Sequence, residues 1–242
     1  MGMISKDKLR WIAGEEGFNL IYLEKDYFLT LLLRCIRDVD GIYLKGGTAT
    51  NKILLDYKRL SEDLDFTCER DIDNIIGDLR DSLEGVEAFT RVEGVSSENG
   101  YSRFKVFYES YFQEEANIVI DLNRKASLRL NPEKVKVPNF YDMNFEVDIV
   151  NKKEIVAEKI RALITRNQPR DYFDVYFLLE EYDVDCDLVK KKVEETDEKY
   201  DKERIFRNAQ KVYTRWEEDL EPLVREKLKF KECIQTLKKQ LE

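Results

Sequence analysis

The stretch "KGGTATNKILLDYKRLSEDLDF", residues 45–66, decides how the N-terminal part of this chain is organised. The apolar residues 42–44 precede it and predict a short strand, and a helical pattern starts at Thr48. Gly46 and Gly47 lie between them, where backbone N–H groups and the Thr48 hydroxyl could approach a bulky anion at a helix N-terminus. A double glycine alone is more often a plain turn, so this half of the stretch leaves both interpretations open.

The other half of the stretch ends in two aspartates one residue apart. Asp63 and Asp65 begin a strand pattern, and residues i and i+2 of a strand point to the same face. Two carboxylates side by side repel each other unless a cation lies between them, and Mg²⁺ prefers such hard oxygen ligands. An exposed acidic strand end is the alternative. A third carboxylate, Asp121, closes the apolar strand "NIVID", and three carboxylates at strand ends predict a two-metal site.

The composition limits the chemistry that is available. The chain of 242 residues has no histidine, which excludes Ser-His and Cys-His nucleophiles and histidine-bound zinc. The four cysteines are scattered, and no apolar run approaches the length of a membrane span, so free thiols in a soluble, cytoplasmic protein are expected. Carboxylates, lysines, hydroxyls and a hard metal remain for any reaction.

The charge pattern restricts where a polyanion could bind. With 41 Lys and Arg against 50 Asp and Glu, the net charge is -9, so the whole molecule does not attract nucleic acid. Two stretches, residues 123–137 and 152–170, each carry a net charge of +4. Either stretch could contact a phosphate backbone, and either could equally be the solvated face of a helix.

Apolar periodicity predicts two parts of different character. Residues 1–150 combine a long helix at 19–38, a helix capped by Asp71 or Asp73, a hairpin around "SSENG" and the strand "ANIVIDLN". From residue 152 onward helical periodicity replaces alternation, which predicts domains at 1–150 and 151–242. One apolar stripe in the second part is predicted to be core, and it comprises Ile205, Ala209, Val212, Tyr213 and Trp216.

Residues 43–66 resemble the signature of a known family, the AbiEii/AbiGii nucleotidyltransferase-like toxins of type IV toxin-antitoxin and abortive-infection systems, which include the MenT toxins. Its pattern is an apolar strand, Gly-Gly-Thr/Ser-Ala, a helix and Arg-x-Ser-x-Asp-x-Asp-Phe, with Arg59 and Ser61 in register here. "LEKDYFLTLLL", residues 23–33, is similar to the family's N-terminal helix. "EIVAEKIRALITRNQPRDYFDVYFLL", residues 154–179, is similar to its second block, a helical lysine followed by an Arg-Asp-x-x-Asp helix. Thr50 departs from the family, which carries an apolar residue there.

The resemblance implies a fold and an activity. The fold is α+β: a nucleotidyltransferase-like mixed sheet of the polymerase beta type, flanked by helices and followed by an all-helical C-terminal part. The activity is Mg²⁺-dependent transfer of a nucleoside monophosphate from an NTP to an RNA acceptor, with release of pyrophosphate. For the MenT branch the acceptor is the tRNA 3′ end. Two Mg²⁺ ions and a cognate antitoxin are implied as well.

The resemblance also implies roles for particular residues. Asp63, Asp65 and Asp121 would hold the metals and act in catalysis, and Gly46, Gly47 and Thr48 would cradle the triphosphate. In the second block the implied catalytic residues are Lys159 and Asp174, and the implied nucleotide-binding residues are Lys159, Arg170 and Asp171. Taken alone, Lys159 fits a snorkelling lysine and Arg170 with Asp174 fits an ordinary helix pair, or the acidic groups could orient Lys159 or the acceptor strand. A non-catalytic nucleotide-binding or interaction module and a metal-dependent nuclease are the competing functions.

Overall fold

The computed structural model describes residues 3–98, 100–196, 198–207 and 209–241, without the side chains of residues 209 and 210. Its residue contacts divide the chain into two compact units, Met1–Val150 and Asn151–Glu242. The first unit is a mixed sheet with helices, and the regular elements described in the second unit are helices. The predicted fold class is therefore confirmed.

The described part of the first unit contains eleven helices and strands and one π-helical turn, Thr50–Leu54. Its helices are α1 (Lys6–Glu16), α2 (Leu20–Cys35), α3 (Gly46–Ala49) and α4 (Ile72–Leu83). Its strands are β1 (Ile42–Lys45), β2 (Asp63–Cys68), β3 (Phe89–Glu98), β4 (Tyr101–Tyr108), β5 (Ala116–Asn123), β6 (Glu133–Lys136) and β7 (Glu146–Ile149). Of the two cap candidates for α4, Asp71 is the one that accepts a hydrogen bond, from the backbone N–H of Asp73.

The seven strands form one sheet in the order β3-β4-β5-β2-β1-β7-β6. β2 lies near the centre, parallel to β5 and antiparallel to β1. β4 is antiparallel to both β3 and β5, as a hairpin predicts. The sequence did not predict β6 and β7, which are only four residues long and carry several charged side chains.

The two faces of the sheet differ in polarity. β5 alternates strictly between buried and half-buried residues, and Ile118, Ile120 and Leu122 are buried. Helix α2 packs on this apolar side, where the ring of Phe28 stacks on Tyr108 with centroids 4.2 Å apart. The polar residues of β2, β4 and β5 consequently share the opposite face.

The segment after β1 differs from its prediction. The helix begins at Gly46, two residues before Thr48, so both glycines belong to its first turn. The chain then enters the π-helical turn, and Asp56 and Tyr57 adopt positive φ angles of 45° and 59°. Backbone conformations of this kind cost energy, so surrounding contacts must hold them in place.

A buried polar cluster supplies such contacts. The ammonium of Lys52 lies 2.7 Å from Oδ1 of Asp26 and donates to Thr30 and Tyr57 at 3.0 and 2.6 Å. The hydroxyl of Tyr141 donates to the other oxygen of Asp26 at 3.0 Å. Burial lowers the pKa of Lys52, and the Asp26 carboxylate opposes that shift. Asp26 belongs to the "LEKDYFLTLLL" segment, so this ion pair fixes α2 to the turn that follows the glycines.

The second unit contains seven helices within its described residues. They are α5 (Lys152–Thr165), α6 (Pro169–Glu181), α7 (Cys186–Glu194), α8 (Glu203–Arg207), α9 (Ala209–Tyr213), α10 (Trp216–Leu220) and α11 (Phe230–Leu241). Ile205, Val212 and Trp216 are buried as predicted, whereas Tyr213 is 58% exposed. That part of the prediction was wrong because α9 ends at Tyr213 and α10 begins at Trp216, which breaks the helical phase. The side chain of Ala209 lies outside the described residues.

Among the helices of the described residues, none combines the length and the apolar character that crossing a bilayer requires.

Candidate active site

Three carboxylates lie on the polar face of the sheet. Asp63 and Asp65 are two residues apart on β2, and Asp65 stands beside Asp121 in the parallel register of β2 and β5. All three are half-buried, while Leu64, between Asp63 and Asp65, and Ile120, just before Asp121, are buried on the other face. Strand alternation thus puts Asp63 and Asp65 on one face, and the register of β2 and β5 adds Asp121 to the same patch.

The glycine turn packs directly against this patch. Gly46 has a φ of +65°, and a Cβ placed on it would collide with the Asp65 carboxyl group, lying only 2.7 Å from its Cγ. A Cβ on Gly47 would lie 2.8 Å from Oγ of Ser61 and 3.3 Å from a guanidinium nitrogen of Arg59. The two halves of the 45–66 stretch therefore form a single structural unit, and the glycines are required because side chains of the second half fill the adjacent space.

Thr48 connects the two halves through its side chain. Its hydroxyl is fully buried and donates to the backbone carbonyl of Asp63 at 2.6 Å, while Thr50 donates to the carbonyl of Gly46 at 2.8 Å. The sequence predicted a phosphate contact for the Thr48 hydroxyl. In the structure this hydroxyl donates to the carbonyl of the residue at which β2 begins, and the phosphate contact stays a prediction.

Asp121 is held by the neighbouring strand β4. Arg103, directly opposite in the antiparallel register, donates to both carboxylate oxygens at 2.7 and 2.6 Å, and the Tyr101 hydroxyl donates to Oδ1 at 2.7 Å. Burial, then the hydrogen bond to Asp121, raises the pKa of Tyr101 to about 12. The hydrogen bonds to Asp121 are likewise the main cause that raises the pKa of Arg103.

The carboxylates of this face meet only part of what a divalent metal ion needs. Asp63 and Asp65 fit a hard cation, since both are half-buried carboxylates on one face. Within the described residues, however, no group of three or more Asp, Glu or Cys side chains is arranged to hold a metal. The predicted three-carboxylate centre is not assembled here, because Arg103 occupies both oxygens of Asp121.

Cations on the same face were missed by the sequence reasoning. Lys45 stands opposite Asp65 in the antiparallel register of β1 and β2 and is buried. Arg103 and Lys105 are alternate residues of β4 and face the same side as Asp121. The sequence does show a lysine before the double glycine and alternating cations in "YSRFK". Only the strand register shows that these cations lie on the face of the aspartates.

The lysine and aspartates of residues 154–179 form their own cluster in the second unit. The ammonium of Lys159 on α5 lies 2.7 Å from Oδ2 of Asp174 and 3.3 Å from Oδ1 of Asp171, both on α6. The guanidinium of Arg166 donates two hydrogen bonds of 2.7 Å each to the Asp171 carboxylate. Burial raises the pKa of Asp171, but Lys159 and Arg166 together outweigh it, so this pKa lies below the ordinary value of 3.8. Arg170 is half-buried.

This cluster bears on two expectations. Lys159 is only 6% exposed and lies against two carboxylates of α6, an arrangement that fits the alternative in which the acidic residues orient it. The basic stretch 152–170 is also less available than its net charge implied. Lys159 and Arg166 are used in internal ion pairs, and Glu154 and Glu158 of the same stretch bind the buried Lys192.

Arg166→Gln is expected to lower the free energy of unfolding by about 1 kcal/mol at pH 7, because Asp171 loses a largely exposed bidentate partner. The sign of the pH dependence follows from the lowered pKa of Asp171. The stabilisation by this ion pair is fully present above the unfolded-state pKa and is lost as the pH falls through the lower folded-state value. The difference in melting temperature between wild type and variant should therefore shrink between about pH 5 and pH 2. A difference that stays constant over this range would contradict the assignment.

The first unit thus has a mixed sheet with a glycine turn against two aspartates of one strand, and a helical unit follows it along the chain. The family model described as "Nucleotidyl transferase AbiEii toxin, Type IV TA system" matches residues 30–238. The chain belongs to this family, and the resemblance noted in the sequence is confirmed. No curated protein matches the chain.

Solved structures share the fold. A Helicobacter pylori protein provisionally described as a nucleotidyltransferase superposes with a TM-score of 0.62 at 21% identity, covering 90% of this chain and 91% of the other. JHP933 from Helicobacter pylori gives a TM-score of 0.61 at 18% identity, with coverages of 91% and 90%. The nucleotidyltransferase toxin MenT4 of Mycobacterium tuberculosis gives 0.61 at 19% identity, with coverages of 90% and 73%. At these identities the likeness establishes the fold alone.

Proposed function

We propose that this nucleotidyltransferase toxin transfers a nucleoside monophosphate from an NTP to an RNA acceptor, the 3′ end of tRNA, in a reaction that depends on Mg²⁺. The observation that carries the proposal is the contact between the Gly46 turn and the Asp65 carboxylate. It places a backbone turn suited to an anion beside carboxylates suited to a cation, which is the pair of sites that a metal-bound triphosphate needs.

The acceptor hydroxyl would attack the α-phosphate of the NTP. A new bond forms between the acceptor oxygen and the α-phosphorus, the bond to the β-phosphate oxygen breaks, and pyrophosphate leaves with that oxygen. When bound, Mg²⁺ supplies charge neutralisation at the phosphates and polarises the reacting oxygens. Asp63 and Asp65 would hold the metal, and the backbone of Gly46 and Gly47 would receive the triphosphate, with Thr48 maintaining the turn.

The remaining residue roles rest on the family resemblance. Asp121 is proposed to bind a second metal ion and to help deprotonate the acceptor hydroxyl, which requires that Arg103 release it. In the second unit, Lys159 is proposed to offset triphosphate charge, with Asp174 and Asp171 fixing its ammonium and Arg170 contributing to nucleotide binding. Their packing supports the orienting part of this proposal, because both carboxylates contact Lys159 directly.

The acceptor and the partners follow from the same proposal. Residues 123–137 and 152–170 each carry a local excess of positive charge and are proposed to contact the tRNA backbone. The units Met1–Val150 and Asn151–Glu242 are proposed as a nucleotidyltransferase domain and a helical domain. A cognate antitoxin and action in the cytoplasm are part of the proposal.

The test is a denaturing gel of total tRNA incubated with the protein, Mg²⁺ and each α-labelled NTP in turn. The expected result is label in tRNA with one or more NTPs, and no label when EDTA replaces Mg²⁺. Shortened RNA would indicate a nuclease. Binding of NTP and Mg²⁺ by calorimetry without labelled RNA or protein would indicate a non-catalytic module. A tRNA with its 3′ hydroxyl oxidised serves as the control, since it cannot accept a nucleotide there.

A further inference from the structure

Arg103 already supplies a cation to the carboxylate that the two-metal reaction would need. Its guanidinium makes two hydrogen bonds to Asp121, the geometry in which arginine binds a carboxylate most strongly. The Tyr101 hydroxyl adds a third. With three donors on two oxygens, Asp121 has little capacity left for a metal ion.

The position of Arg103 is set by the strand register and not by a local motif. Arg103 and Asp121 are directly opposite on β4 and β5, and Asp121 is in turn beside Asp65 on β2. β4 and β2 flank β5, so in the sheet Asp121 lies between Arg103 on one neighbouring strand and Asp65 on the other.

Arg103 is also the member of the pair that is able to leave. Its side chain is 46% exposed, whereas that of Asp121 is 13% exposed. A long exposed guanidinium can turn into solvent or onto a phosphate group at small cost, while the strand fixes the position of the aspartate. A divalent ion and a guanidinium repel each other and need the same lone pairs, so the two cannot share this carboxylate at full strength.

We propose that Arg103 and a divalent cation are alternative partners of Asp121. The proposal rests on the metal site of the proposed function and deepens it: the free protein binds one ion through Asp63 and Asp65, and the place for a second ion is closed by Arg103. Arg103 is thus a positioning residue that sets when Asp121 becomes available.

The experiment titrates the full-length protein with Mn²⁺ alone, without nucleotide, and follows free Mn²⁺ by electron paramagnetic resonance. Wild type is expected to bind one ion. Arg103→Gln should bind a second ion, because the competing cation is gone. If wild type also binds a second ion weakly, the variant should bind it at least about tenfold more tightly than wild type does. The double variant Arg103→Gln/Asp121→Asn should return to one ion. Arg103→Thr repeats the test with a residue that favours strands, in case the glutamine variant folds poorly.

A matched control is available on the neighbouring strand. Arg91 is 49% exposed and pairs with Glu93 and Glu115, so Arg91→Gln removes a similar exposed arginine from carboxylates. It should leave Mn²⁺ binding unchanged. The proposal is overturned if Arg103→Gln and Arg103→Thr bind Mn²⁺ as wild type does. It is equally overturned if wild type binds two ions and Asp121→Asn loses one of them.

The outcome separates this inference from the function on which it rests. If wild type binds no Mn²⁺ while Arg103→Gln gains an ion that Asp121→Asn removes, the exchange at Asp121 is supported and the site at Asp63 and Asp65 is not. If neither binds Mn²⁺, the inference fails directly. Retained tRNA labelling together with unchanged Mn²⁺ binding in the Arg103 variants would overturn the inference and leave the transferase function standing.

Discussion

Asp65→Asn is expected to reduce the incorporation of label from α-labelled NTP into tRNA by about a thousandfold or more. The side chain keeps its size and loses the negative charge that a metal-bound triphosphate requires on this face. The melting temperature should stay within roughly 4 °C of wild type, about 1 kcal/mol for a chain of this size, since Asp65 is only half-buried.

Two variants complete this test. Asp63→Asn should reproduce the loss, because Asp63 shares the same face of β2. Asp81→Asn, which removes an exposed carboxylate from the surface of α4, should keep wild-type activity. Activity within about threefold of wild type for Asp65→Asn would remove the carboxylates from the reaction, since a lost metal ligand costs far more than that.

Gly46→Ala is expected to reduce activity about a hundredfold and to destabilise the fold by about 2 kcal/mol or more. Two costs combine: a φ of +65° that disfavours any side chain, and a methyl group that would displace the Asp65 carboxyl group. Urea unfolding measures the loss of stability from both costs together. The tRNA labelling assay measures the loss of activity that follows from displacing Asp65.

Two other glycines separate these costs. Gly85 has a φ of +73° with no atom within 4 Å of the position that a methyl group would take, so Gly85→Ala should cost about 1 kcal/mol and leave activity unchanged. Gly77 lies inside α4 with the same open space, and Gly77→Ala should be neutral or stabilise by up to about 1 kcal/mol. If Gly46→Ala were as active as Gly85→Ala, the placement of Asp65 would not depend on the glycine.

The part of the site that follows local periodicity could be predicted from the sequence. Asp63 and Asp65 share a face because strand residues alternate, and the structure shows that arrangement with Asp121 alongside. The collision that makes Gly46 necessary could not be predicted, because it joins residues that are 19 positions apart. The predicted helix start at Thr48 failed for the same reason: contacts with β2 determine where the turn begins.

The features of the site that depend on strand register or on burial could not be predicted from the sequence. Arg103 faces Asp121 only because β4 and β5 pair at one particular offset, and no residue pattern within either strand predicts that offset. Lys159 had the spacing of a surface lysine, yet α6 covers it with two aspartates. The short strands β6 and β7 lacked an apolar pattern of sufficient length to separate them from loops.

The sheet order has a consequence for how the protein becomes active. Lys45, Asp65, Arg103 and Asp121 meet on one face only after β1, β2, β4 and β5 have paired, and those strands are spread over the chain between residues 42 and 123. Pairings between such distant segments form late in folding, because the loops must be closed first. A ribosome-bound or partly folded chain therefore has the signature residues but no assembled face. The face that carries the aspartates is complete only when these four strands have paired.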